Sequence, residues 1–128
     1  MALIYETLYN KLKNLGILEV REYKKLKSNG FMDLSIDVLT NNEEFKTIAI
    51  AHNYIQNGDV MADPDMEIKI YKKLKCAEAL TYQQDGLGIF QRVYSDDGKK
   101  VNPRLKKELN HFLNIWLTNL KNQGFGGC

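Results

Sequence analysis

Two periodicities alternate along this chain, and each predicts its own kind of element. Leu3, Leu8, Leu12 and Leu15, with Ile4 and Tyr5, fall three to five residues apart, which lays an apolar stripe along a helix from about Ala2 to Leu15. Gly16 supplies a stop, and Lys11 and Lys13 stand in the last turn, where the dipole favours cations. From Phe31 to Leu39 the period drops to two: Met32, Leu34, Ile36 and Val38 share one face, and Asp33, Ser35 and Asp37 the other. Asn41, Asn42 and Glu43 supply a turn. A second strand follows from about Phe45 to Gln56, with Ile48, Ile50, His52 and Tyr54 on one face. Asn57-Gly58 is a strong hairpin signal because both residues tolerate positive φ. Beyond it Met66, Ile68 and Ile70 alternate with Glu67, Lys69 and Tyr71, giving a long hairpin loosened at its tip by Asp63-Pro64.

Shorter strands are expected at Ala77 to Gln83 and at Leu87 to Tyr94, with Asp85-Gly86 turning between them. In the second of these, Leu87, Ile89 and Val93 alternate with Phe90 and Arg92. Val20 to Lys27 could add an edge strand whose lysines discourage further pairing. Near the end, Asn102 is a good N-cap and Pro103 a good first helical residue. Leu105, Leu109, Phe112, Leu113, Trp116, Leu117 and Leu120 then form a wide apolar face, closed by Lys121 and Gly124. The fold expected is α+β: an N-terminal helix, a curved, mostly antiparallel sheet of four to six strands, and a long C-terminal helix packed on one face. Neither an internal repeat nor a low-complexity linker interrupts the 128 residues, which predicts one domain over 1–128 with a flexible tail at about 125–128.

Composition narrows the class. Hydrophobic residues make up 44% and charged residues 27%, an ordinary globular balance. The apolar runs are far shorter than the ~20 residues a membrane helix needs, and Met1 to Asn10 does not read as a signal peptide. Cys76 and Cys128 are too few for a secreted disulfide scaffold, so a reduced cytoplasmic setting is expected. Cys76 reads as a buried structural thiol and Cys128 as exposed.

The net charge of +2 conceals a segregated pattern. Ser28 to Glu67 holds eight acids and one base, while Lys99 to Lys121 holds six bases and one acid. Lys99, Lys100, Arg104, Lys106 and Lys107 are therefore a candidate basic patch. Aromatic residues do not interleave with them as stacking platforms would, so nucleic acid is not the favoured partner. The second candidate is a polar cluster: His52, Tyr54, Gln56, Asn57, Asp59, Asp63, Asp65 and Asp85. In strand geometry His52, Tyr54 and Gln56 stand about 7 Å apart in succession on one face. An imidazole with carboxylates is a set that could work as acid and base or hold a hard cation. The spacing matches no zinc or calcium signature, so no metal or other cofactor is expected, and only Asp59 and Asp63 offer a weak site. Asn and Asp also stabilise turns by local hydrogen bonds, and His52 could end a core face as a satisfied polar residue. His111 reads as a boundary residue, and Gly86-Leu87-Gly88 does not make a phosphate loop.

His52, Tyr54, Gln56-Asn57-Gly58-Asp59, Met61 and Asp63-Pro64-Asp65-Met66 resemble the hallmark of a family of small proteins from bacterial phages, plasmids and integrated elements, a domain of unknown function. Asp85, Gly88 and Phe90 are similar to its second strand motif, and Trp116, Asn119, Leu120, Gln123, Gly124 and Phe125 to its ending. Asn53 and Ile55 depart from its pattern and enter no inferred site. The resemblance implies a bacterial or phage context and a closeness of His52, Asn57, Asp59, Asp63 and Asp85, and it carries no activity. The reading reached from sequence is a non-enzymatic interaction module with a protein partner. Its rival is an enzyme or a small-ligand or metal-binding domain built on His52, Asp59, Asp63 and Asp85, which requires those side chains to converge in one pocket. Nucleic-acid binding through the basic helix is the third and weaker reading.

Overall fold

The computed structural model describes residues 3–125, the side chains of 3, 54–56 and 59–63 excepted. Helix α1 spans Leu3–Asn14, and Gly16, at φ 79°, turns the chain into a 3₁₀ turn at Ile17–Glu19. Seven strands follow: β1 (Tyr23–Leu26), β2 (Asp33–Asn41), β3 (Phe45–Gln56), β4 (Asp59–Tyr71), β5 (Cys76–Ala79), β6 (Thr81–Gln84) and β7 (Ile89–Arg92). Helix α2 spans Pro103–Asn122. All strand pairs are antiparallel, in the order β1-β2-β3-β4-β6-β7, with β5 paired to another stretch of β4.

The period-two pattern becomes packing through register. Ile36 stands opposite Ile50, Ile50 opposite Met66, and Ile48 opposite Ile68, so one face of β2, β3 and β4 is continuously apolar. With Ala77 and Ala79 of β5, this face is buried beneath Leu8 and Leu12 of α1 and Leu109, Leu113, Trp116, Leu117 and Leu120 of α2. Lys46 is also on this face and buried; its ammonium donates to the carbonyls of Leu18 and Val20, satisfying the end of the 3₁₀ turn. Asn110, buried on α2, accepts from the Ala79 N–H at 2.8 Å and donates to the Lys106 carbonyl at 2.8 Å, bonding helix to strand.

The β3–β4 turn holds Asn57 at φ 53° and Gly58 at φ 84°, the left-handed pair that a tight two-residue hairpin requires. Farther down, Ala51 opposes Asp65 but Asn53 opposes Ala62, so β4 carries one extra residue opposite His52. Pro64 lies in this bulge, where its missing N–H costs no ladder hydrogen bond.

Several expectations are corrected. The strand expected from Ala77 to Gln83 breaks at Leu80, whose N–H donates to the Glu67 carbonyl at 2.7 Å and whose carbonyl accepts from Val93 at 2.9 Å. The break makes two strands of one and brings the sheet to seven. The strand expected from Leu87 begins only at Ile89, because Asp85–Leu87 is a 3₁₀ turn ended by Gly88 at φ 65°. Leu87, Ile89 and Phe90 do not alternate between core and solvent; all three are exposed. Phe112 sits at the margin of the helix face, edge-on to Tyr82 with ring centroids 5.4 Å apart. Phe125, expected in a loose tail, is 2% exposed. Gly124 (φ 95°) reverses the chain, and the N–H of Phe125 bonds back to the Leu120 carbonyl, a glycine-terminated helix end that folds the next side chain onto the core. Cys128 lies outside the described residues.

Among the described residues no helix is long and apolar enough to cross a membrane. Trp116 lies buried in the core, touching His52 and Phe112. Trp116→Ala should lower the unfolding free energy by about 3–5 kcal/mol, read from urea midpoints. An unchanged midpoint would show that α2 is not part of the core.

Candidate functional site

The face of the sheet away from the helices collects the acids. Asp37 of β2 pairs across to Ala49 of β3, which pairs to Glu67 of β4; Ala51 pairs to Asp65, and Asp65 to Gln83 of β6. Alternation therefore puts Asp37, Asp65 and Glu67 on one surface across Ala49 and Ala51, a surface that also carries Ser35 and, farther along β4, Lys69 over the rings of Phe45 and Tyr71. Asp85 joins them from the 3₁₀ turn after β6, accepting from Gln83 Nε2 at 2.5 Å. Burial pushes the half-buried Asp65 carboxyl up to about 6, and the charges of Glu67, Asp85 and Asp37 push in the same direction.

The residues anticipated as one cluster divide. Asp65 and Asp85 share the acidic face. His52 points the other way, into the core, 8% exposed, with ring centroids 5.6 Å from Trp116 and 5.7 Å from Phe125. Asn57 is exposed at the hairpin turn. The side chains of Tyr54, Gln56, Asp59 and Asp63 lie outside the described residues. Among those described, no group of three or more His, Cys, Asp or Glu side chains could hold a metal ion.

The basic patch divides as well. Lys99 and Lys100 are exposed in the turn before α2, which Asp97 and Ser95 hold together by accepting their backbone N–H groups. Arg104 pairs with Glu108 one helical turn on, at 3.4 Å, and Lys107 is exposed. Lys106 instead turns inward to a network that pattern reading did not anticipate.

That network is centred on Glu78 of β5. Its Oε2 accepts from the Tyr71 hydroxyl at 2.6 Å and its Oε1 from the Tyr94 hydroxyl at 2.5 Å. The Lys106 ammonium donates to Tyr94 Oη at 2.9 Å, lies 3.8 Å from Glu78 Oε1, and sits over the rings of Tyr5 and Tyr94. Glu78 is buried, so the carboxylate is stable there only because each of its oxygens is bonded and a cation is adjacent. Burial and the bond to Glu78 raise the pKa of Tyr71 and of Tyr94 far from neutral pH, while the bond to Tyr94 raises that of Lys106, so the hydroxyls stay protonated and the ammonium charged. Beside it, the thiol of half-buried Cys76 is pushed up by burial and by the charge of Glu6, which leaves it protonated rather than a nucleophile. One signal for this site was present in the sequence: a lone carboxylate, Glu78, between the alanines of a core strand.

An antiparallel sheet with two helices packed on one face defines an α+β domain. The chain matches the family described as Domain of unknown function (DUF6908) over residues 4–126, and it belongs to that family. No curated protein matches it, and no solved structure does.

Two measurements test these sites. Because the folded state raises the Asp65 pKa from 3.8 to about 6, its ionisation should remove stability as pH climbs through that window, with no further loss above it. Asp65→Asn should match the parent near pH 4 and exceed it at pH 7.5 by about 1 kcal/mol, after allowance for solvent screening, in urea titrations at both pH values. Lys106→Met should cost about 3 kcal/mol by stranding the buried carboxylate. Adding Glu78→Gln should return much of that loss; the same midpoint in single and double variants would show that the pair is not coupled.

Proposed function

We propose that this chain is a non-enzymatic protein-binding module of a bacterial phage or other mobile element, working in the cytoplasm. The observation that carries the reading is an acidic patch on the sheet face away from the helices together with an apolar edge that no other described strand covers. Among the described residues strand β7 bonds to β6 alone, and Phe90 is 52% and the preceding Leu87 68% exposed. An edge of this kind offers a row of free backbone groups to an incoming extended segment, with apolar side chains to anchor it. Arg92, stacked near Phe90 and paired with Asp96, closes the strand with charge. By register Phe90 stands opposite Gln83 and Gln83 opposite Asp65, so the acids share the face of Phe90 and lie two strands inside the edge.

The enzyme reading has less behind it, since His52 packs on the face opposite Asp65 and Asp85. Nucleic-acid binding is weakened by the engagement of Arg104 with Glu108 and of Lys106 with Tyr94. The module reading is tested by affinity capture from the host at micromolar protein, followed by titration of the captured partner. Phe90→Asp should weaken that partner by about 2 kcal/mol. Equal binding by parent and variant, or no partner at all, would count against the module. A mobility shift on DNA or RNA that fades steeply with salt would favour the nucleic-acid reading instead.

A further inference from the structure

The Glu78 network opens onto a groove that neither the acidic face nor the β7 edge uses. A cleft of about 190 Å³ runs between α1, the turn joining β4 to β5, and α2, with Tyr5, Tyr71, Leu74 and Lys106 on its walls. A second, of about 290 Å³, adjoins it across the shared side chains of Tyr5 and Lys106 and reaches Lys107 and Val101. We propose that this groove is a binding site for a small organic carboxylate whose apolar body is about the size of one aromatic ring.

The polarity follows from which hydrogen-bonding groups are already used. Both oxygens of Glu78 accept tyrosine protons and Lys106 lies 3.8 Å from Oε1, so the charge of this carboxylate is already compensated from within. Lys106 gives one N–H to Tyr94, lies 3.8 Å from Glu78 Oε1 and sits over the Tyr5 ring; among the described residues its ammonium has no second hydrogen-bond acceptor. The unused valence in the groove is therefore a charged donor, which calls for an anionic acceptor. The surroundings agree: Lys73 and Lys75 are exposed on the β4–β5 turn and Lys107 on α2, against Glu6 near Cys76 and the internally paired Glu78. The body of the ligand follows from the walls. Leu74, Ala77 and the tyrosine rings are apolar, so a bare inorganic anion would leave them unfilled. The first cleft is smaller than the ~300 Å³ at which drug-sized ligands begin, which limits the body to one ring or its aliphatic equivalent.

The test uses the intact chain with benzoate as probe, and benzylamine and inorganic phosphate as controls, at constant ionic strength, followed by amide chemical shifts. Benzoate should saturate with a Kd on the order of 1 mM, as expected for so small a ligand, and should move amides of α1 and of residues 73–78. Benzylamine, with the same body and opposite charge, and phosphate, with charge and no body, should bind about tenfold more weakly or not at all. Lys106→Met is a poor variant here because it strands Glu78. Leu74, 71% exposed, and the exposed Lys107 can be changed without touching the core. Leu74→Asp and Lys107→Glu should each weaken benzoate by about fivefold or more while leaving the melting temperature near that of the parent. The proposal is overturned if benzoate shifts no groove amides, if benzylamine or phosphate binds equally well, or if neither variant changes its affinity.

Discussion

The register of β3 between β2 and β4 is the constraint on which the other features depend. With Ile50 held between Ile36 and Met66, and Ile48 beside Ile68, the buried isoleucines, Leu34 and Met66 of the three strands fall on one surface. A slip of one residue would carry Asp37, Asp65 and Glu67 to that surface and the isoleucines to water. The tight Asn57-Gly58 turn fixes the register from one end, and the bulge at Asp63-Pro64 resets it before the core begins. Both helices must then lie on the apolar side. The acids lie on the other face for the same reason that the isoleucines are buried.

Polar bonds add to the apolar burial of Ala77 and Ala79 in joining α2 to the short strand β5. Asn110 supplies an acceptor to an N–H that β4 does not use, and Lys106 compensates the one carboxylate in that strand. Groups of this kind are costly when left alone and specific when satisfied, so they set where along the sheet the helix sits. The Glu78 network thus serves the fold and also places Lys106 on the wall of a groove. The charge pattern resolves in the same way: the acids between Ser28 and Glu67 include the open face, whereas the basic residues near the C-terminus scatter into an inward lysine, a helix-surface ion pair and a loop.

Local chemistry made much of this readable in advance. Period-two alternation over β2, β3 and β4, the hairpin dipeptide, and the Asn102-Pro103 helix start depend on residues near one another in sequence, and Asn102 does accept the Leu105 N–H. The break at Leu80 was not readable, because it is made by Glu67 and Val93, both more than ten residues away. Exposure along β7 was hidden too: alternation marks a strand but does not tell whether anything covers it. His52 and Asp65 looked like members of one cluster because they flank one turn, and a strand hydrogen-bonded in a sheet sends neighbouring positions to opposite sides.

The sequence by itself determined the element types, the faces of the long strands and the apolar stripe of α2, since each is written in short-range spacing. Only the tertiary structure decided which polar groups meet. Tyr71, Glu78, Tyr94 and Lys106 come from separate segments, and their hydrogen bonds depend on β5 and α2 being docked to within an ångström or so. Hydrophobic burial is non-directional and survives as a pattern, whereas a hydrogen bond depends on distance and angle that exist only once the chain has closed on itself.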